Sequence, residues 1–189
     1  MPIQGLDQIV VATSSEYQSV TKDILNRIPA DGVKKSCLEG GNSRQESIYN
    51  ALAQVSNVDL VMVHDAVRPF VRPQHINECC RVATEMGAAV LGIPAKDTIK
   101  RVDDEQLVQE TPDRKYLWQT QTPQVFQYEI LQKAYQSARN DSFLGTDDAS
   151  LVERLGREVK MVRGDQSNFK ITYPLDLQLA ELLINTEDK

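Results

Sequence analysis

The sequence predicts an α/β fold of three layers with a mostly parallel sheet, and three observations predict it. Short apolar runs of the kind buried on both faces of a sheet recur at Gln8 to Ala12, Leu60 to Val63, Ala88 to Ile93 and Val159 to Val162. Between them, apolar residues fall at helical spacing, as at Ile48, Leu52 and Val55 or at Ile76, Cys80 and Ala83. Strand alternating with helix over 189 residues is the pattern of helices packed on both faces of one sheet. With 41% apolar and 25% charged residues, this length suits one domain, 1–189, and no repeat or low-complexity tract interrupts it.

Taken in order, Gln8 to Ala12 reads as a buried strand, Ser15 to Ile28 as a helix with Val20, Ile24 and Ile28 in one stripe, and Lys34 to Leu38 as a short second strand. Gly40-Gly41 allows backbone conformations closed to other residues, and Ser43-Arg44-Gln45-Glu46 has the form of a capping box, so a helix begins beside the glycine pair. Free N–H groups there would suit a phosphate or a nucleobase carbonyl; a plain strand-to-helix turn accounts for the same spacing. The run Leu60 to Val63 ends abruptly in His64-Asp65-Ala66-Val67-Arg68-Pro69. That places Asp65 and Arg68 at a strand's carboxyl end, where open α/β sheets bind ligands. On their own, the two would read as a turn cap and its ion-pair partner.

Pro73 opens a helix that Gly87 ends, with Cys79 and Cys80 read as small core residues. After the strand Ala88 to Ile93, Lys96 to Val102 and Gln106 to Thr111 form the arms of a polar hairpin around Asp103-Asp104-Glu105. Two strands alone are marginal in water, so this hairpin is expected either to stand in solvent or to dock on another subunit. Leu117 to Phe126 brings the chain back, and Gln127 to Ala138 is helical. Thr146 is expected to cap the next helix, whose start Asp147 and Asp148 favour. Val159 to Val162 is the last strand, Phe169 to Thr172 a short extended piece, and Pro174 starts a closing helix with Leu177, Ala180 and Ile184 on its apolar face.

A net charge of -6 argues against a general nucleic-acid binder, while leaving room for a local basic pocket that holds a polyanionic small molecule. Three cysteines in no metal spacing fit a reducing compartment. No apolar run approaches the roughly 18 residues of a membrane span, so the cytoplasm is expected.

Seven segments stand in the order of one family: Gly40 to Ser47, His64 to Pro69, Lys96 to Lys100, Asp113 to Trp118, Gln121 to Gln124, Thr146 to Ala149 and Asn168 to Thr172. Over residues 8 to 186 the chain resembles the 2-C-methyl-D-erythritol 4-phosphate cytidylyltransferases of isoprenoid-precursor synthesis. The resemblance implies a Rossmann-like three-layer fold with a β-hairpin arm, 95–118, that makes a homodimer. It also implies transfer of a cytidylyl group from CTP to methylerythritol phosphate, with loss of pyrophosphate, Mg²⁺ held mainly through the CTP phosphates and no protein metal-ligand cluster. Gly41, Asn42 and Ser47 would hold cytosine and ribose, Asp65 would lie near the ribose and the metal-bound phosphates, and Arg68 would face the second substrate. Lys170 would offset charge on the α-phosphate. Thr98 and Arg114, at the feet of the hairpin, would bind methylerythritol phosphate in the neighbouring subunit, with Thr122 and Thr146 completing that pocket. Lys170, Arg114 and Asp65 are thus the expected catalytic residues. The family commonly has Asp where Asn42 stands; an amide can donate as well as accept.

The family's opening strand, glycine-rich loop and triphosphate-clamping Arg and Lys are not found, on the order of 40 residues or about one βα unit. The expectation is an N-terminally truncated domain whose first central strand, between Gln8 to Ala12 and Leu60 to Val63, is missing. Open edges or rearranged pairing and little turnover would follow. Two other readings stay open: a ribitol 5-phosphate cytidylyltransferase, and a catalytically silent dimer-forming fragment. The Asp-Thr-Ile-Lys run, Arg114 to Trp118 and Thr-Asp-Asp-Ala favour the isoprenoid enzyme over the ribitol one.

Overall fold

A computed structural model describes residues 3, 5–29 and 32–187. In chain order the elements are β1 (Gln8–Thr13), α1 (Gln18–Arg27), β2 (Lys34–Glu39), α2 (Arg44–Leu52), β3 (Leu60–Val63), α3 (Pro73–Met86), β4 (Ala88–Pro94), β5 (Arg101–Val102), β6 (Val108–Glu110), β7 (Trp118–Gln127), α4 (Tyr128–Asn140), α5 (Asp148–Arg154), β8 (Lys160–Arg163) and α6 (Pro174–Glu187). Four strands make the main sheet in the order β3-β7-β4-β8, while β1 and β2 form a separate parallel pair.

The fold is mixed α/β, and the sheet departs from the expected mostly parallel one. Both ladders of β7, to β3 and to β4, are antiparallel, and only β4 with β8 is parallel. The cause is the excursion between β4 and β7: the hairpin reverses the chain, which then re-enters the sheet between β3 and β4 against their direction. Residues 169–172, expected to be a short extended piece, join no ladder.

Side-chain alternation along β4 sorts the core into two faces. Ala88 and Val90 pack with Phe126, Leu52, Leu131, Tyr135, Leu151 and Val152 on the α2, α4 and α5 side. Ala89 and Leu91 pack with Val125, Cys79, Val82 and Val162 on the α3 side. Burial pushes the Cys79 thiol up to about 12, as befits a core filler rather than a nucleophile. α3 ends on Gly87, whose φ of 93° is left-handed and whose N–H donates to Ala83 O at 2.8 Å. Gly87→Ala is therefore expected to lower the unfolding free energy by about 1–2 kcal/mol, read from urea denaturation; an unchanged midpoint would contradict this.

Two apolar stripes face outward. On α1 and its C-cap, Val20, Ile24 and Ile28 are 50%, 53% and 45% exposed while Leu25 is buried; on α6, Leu177 and Ile184 are exposed and Ala180 buried. Among the described residues, β1 pairs only with β2 and β3 only with β7. Val10, Val11 and Ala12 of β1 and Leu60 to Val63 of β3 line one cavity of about 1640 Å³, together with Ile48 and Leu52 of α2 and Cys80 of α3. Arg44, Ser47, Asp65 and Lys170 also line this cavity.

Candidate active site

The site is built at the carboxyl end of β3, where the apolar run stops. The Asp65 carbonyl accepts from Arg68 N–H at 3.0 Å, closing a turn, and the Asp65 N–H donates to Thr122 Oγ1 at 3.0 Å. The same hydroxyl lies 2.9 Å from His64 Nδ1, and His64 Nε2 lies 3.1 Å from Arg68 O. Those partners fit a neutral imidazole protonated on Nε2, and burial pushes the His64 pKa down. Thr122, buried in β7, thus holds up the Asp65 loop with a hydroxyl already engaged.

The second wall is the segment after β8. Arg68 Nη1 donates to Asn168 O at 2.9 Å, and Asn168 Nδ2 donates to Thr122 O at 2.9 Å. Ile171 N–H donates to Val67 O at 2.9 Å, and the rings of Phe70 and Phe169 stack at 5.6 Å. These ties bring Lys170 Nζ to 3.2 Å from Asp65 Oδ2.

Three cations surround Asp65. Arg44 Nε sits 3.2 Å from Oδ1, Lys170 Nζ 3.2 Å from Oδ2, and Arg68 Nε 3.9 Å from Oδ2. Burial alone would push the Asp65 carboxyl up; Arg44 and Lys170 outweigh it and hold the pKa below the ordinary carboxylate range. Burial lowers the pKa of Arg68, against the pull of Asp65.

The third wall is the start of α2. Ser43 Oγ accepts from Glu46 N–H at 3.1 Å, capping the helix as its sequence predicts, but Glu46 Oε2 reaches back to Asn42 N–H at 2.7 Å rather than to Ser43. Ser47 Oγ accepts from Gly41 N–H at 3.0 Å and donates to Ser43 O at 2.9 Å. The N–H groups of Gly41 and Asn42, just before the helix start, are therefore already used. A Cβ on Gly41 would lie 2.2 Å from Glu46 Cγ, so the glycine is required by this turn.

At α5 the structure corrects the sequence reading. Asp147, not Thr146, is the N-cap, bonded to Ser150 in a capping box, while Thr146 is exposed just before it. Asp148 does more than favour a helix start: it is fully buried, accepts from Arg44 Nη2 at 2.8 Å and takes the Tyr135 hydroxyl hydrogen bond. Burial raises the Asp148 pKa, with Arg44 and Tyr135 pulling the other way. Gln45 holds the loop before it, donating to Phe143 O and accepting from Gly145 N–H, both at 2.9 Å. Gln124 adds a tie to Asp147 Oδ2 at 2.8 Å.

Asp65, Arg68, Lys170 and Thr122 are thus gathered directly, with Gly41, Asn42 and Ser47 at the α2 start and Thr146 beside the α5 start that Arg44 joins to Asp65. Thr98 and Arg114 stand apart within the chain. Thr98 is exposed, and Arg114 donates to Lys96 O and lines a second cavity of about 660 Å³ with Lys96, Arg163 and Asp165. Arg44, Gln45, Gln124, Asn168 and Asp148 were not assigned from sequence. Gln124 lies in a strand already rich in Gln and Thr, so nothing in the sequence of β7 set it apart; Arg44 and Gln45 were hidden inside a capping pattern.

Fold and site together define a class: α/β proteins that bring phosphate-bearing substrates to cations at the carboxyl end of a sheet strand. A family model described as 2-C-methyl-D-erythritol 4-phosphate cytidylyltransferase matches residues 2–186. The chain belongs to that family. A relative of that name from Clostridioides difficile is 44% identical, over 98% of this chain and 78% of its own; one from Caldanaerobacter subterraneus is 42% identical, over 96% and 81%. Among solved structures, the 4-diphosphocytidyl-2C-methyl-D-erythritol synthase of Anaerococcus prevotii superposes with a TM-score of 0.89 at 29% identity, covering 97% of this chain and 81% of the other. The Thermus thermophilus cytidylyltransferase gives 0.77 at 35% identity, covering 93% and 81%.

Proposed function

We propose that this chain transfers the cytidylyl group of CTP to 2-C-methyl-D-erythritol 4-phosphate, releasing pyrophosphate. The observation that carries the reading is the Asp65 cluster, in which Arg68 and Lys170 present positive charge around a carboxylate that lines the cavity. Phosphoryl chemistry needs such positioning and charge more than a nucleophilic side chain. Lys170 offsets charge on the α-phosphate, Arg68 faces the acceptor phosphate, and Gly41, Asn42 and Ser47 border cytosine and ribose. Mg²⁺ suits such a site, since it keeps water and takes most of its other oxygens from substrate phosphates. The ion would be held mainly through the CTP phosphates, with Asp65 near them, and would neutralise charge on the triphosphate.

The names carried by relatives at 44% and 42% identity favour methylerythritol phosphate over ribitol 5-phosphate as acceptor. Three unpaired cysteines support a reducing, cytoplasmic setting. Among the described residues, no helix is long and apolar enough to cross a membrane.

Two finer readings accompany the function. One more strand would lie between β1 and β3, which the unpaired edges and the apolar walls of their shared cavity support. The 95–118 arm would join two copies into a homodimer, so that Thr98, Arg114, Thr122 and Thr146 share an acceptor pocket; the exposure of Val102, Leu107 and Val108 on the β5–β6 hairpin supports this. Arg114→Lys is then expected to raise the KM for methylerythritol phosphate with little change in that for CTP, because an ammonium cannot grip a phosphate bidentately. Unchanged steady-state constants would count against the role.

A further inference from the structure

Asp65 is held by only one of its two oxygens on the α2 side. Arg44 takes Oδ1 at 3.2 Å, while its other face is fastened to Asp148, which is fully buried and 2.8 Å away. The guanidinium therefore spans two carboxylates with different nitrogens, Nε to one and Nη2 to the other. Across the cluster, Arg68 Nε is a buried donor without a hydrogen-bond partner among the described residues, and Asp65 Oδ2 stands 3.9 Å from it. A buried N–H left unmade is costly, and a small rotation of the Asp65 carboxylate would satisfy it. Two contacts oppose that rotation, the hydrogen bond of Oδ1 to Arg44 and the ion pair of Oδ2 with Lys170 at 3.2 Å, and only the first is anchored to a buried group.

We propose that Arg44 is a positioning residue: braced on the buried Asp148, it keeps the Asp65 carboxylate from closing onto Arg68 Nε, so that the partly exposed Arg68 guanidinium stays placed to face the phosphate of the acceptor substrate. The acceptor part rests on the functional reading above; the geometric part does not. The brace is rigid because Asp148 is itself fixed by the Tyr135 hydroxyl and sits in the first turn of α5. The fork of the guanidinium is essential, since a lysine ammonium has no planar pair of donors to span both carboxylates. Asp148 is unsuited to meet substrate directly, being closed off from solvent.

The test is arginine Nε–H NMR together with steady-state kinetics on the full chain and its Arg44→Met, Arg44→Lys and Asp148→Asn variants. An Arg44→Met, Asp148→Leu double variant removes both charges, so that a folding failure of the single change does not decide the matter. In Arg44→Met and in the double variant, the Arg68 Nε–H signal is expected to shift and to exchange more slowly as it gains Asp65. In Asp148→Asn, the Arg44 Nε–H is expected to lose protection. The KM for methylerythritol phosphate is expected to rise at least about tenfold, the scale of one lost charge-assisted hydrogen bond, with the KM for CTP within about threefold. Arg44→Lys is expected to behave like Arg44→Met. An Arg68 signal that stays at its wild-type position in every Arg44 variant, or an Arg44→Lys protein with wild-type KM, overturns the proposal. If the unmodified chain gives no cytidylyl transfer at all, the functional reading fails, and the Arg68 signal still decides the positioning.

Discussion

Lys170→Met is expected to lower cytidylyl transfer by about 100- to 1000-fold relative to the unmodified chain, the usual effect of removing one preorganised group aimed at charge developing in a transition state. Lys170 is 46% exposed and lines the cavity, and among the site cations it combines access to a ligand with direct contact to Asp65 Oδ2. Its backbone is fixed through Ile171 and Asn168, which a change at the side chain of residue 170 leaves intact. The loss should therefore fall on kcat with a small effect on the melting temperature. A variant with native kcat would remove Lys170 from the chemistry.

Asp65→Asn is expected to cost about 100-fold in turnover, the order reached when a misplaced group sits an ångström from its working position. Its carboxylate is the common partner of Arg44, Lys170 and Arg68, and an amide leaves those three cations repelling one another. The same substitution has a signature in stability. Asp65 has a folded pKa lowered by Arg44 and Lys170 against the opposing effect of burial, so its ionised form stabilises the fold at pH values above the ordinary carboxylate range. That contribution is lost as pH falls through the lowered folded pKa. The difference in unfolding free energy between the unmodified protein and Asp65→Asn should accordingly shrink on acidification below about pH 4. A difference that grows there would mean that Asp65 is not held ionised by its neighbours.

Much of the fold is legible in local pattern. Leu60 to Val63 forms a strand with the bounds its apolar run predicts, and Asp65 stands where a strand end in an α/β sheet puts a functional carboxylate. The direction of β7 was not legible, because Leu117 to Phe126 reads the same whether its neighbours run with it or against it. The outward stripes of α1 and α6 were likewise invisible, since periodicity reports a face and not what covers it. Asp148 is the clearest case in the site. In sequence it is the acidic residue that helix starts favour, and only the long-range approach of Arg44 and Tyr135 turns it into a buried anchor. Arg44, in turn, lies inside a capping pattern that accounts for Ser43 and says nothing of a guanidinium reaching across to α5.

Acceptor selectivity tests the assignment most directly. With labelled CTP and Mg²⁺, the chain is expected to form 4-diphosphocytidyl-2-C-methyl-D-erythritol at least about tenfold faster than the ribitol 5-phosphate product, a difference of the size one well-made polar contact supplies. Equal or greater transfer to ribitol 5-phosphate, or no cytidylyl product from either acceptor, would contradict it.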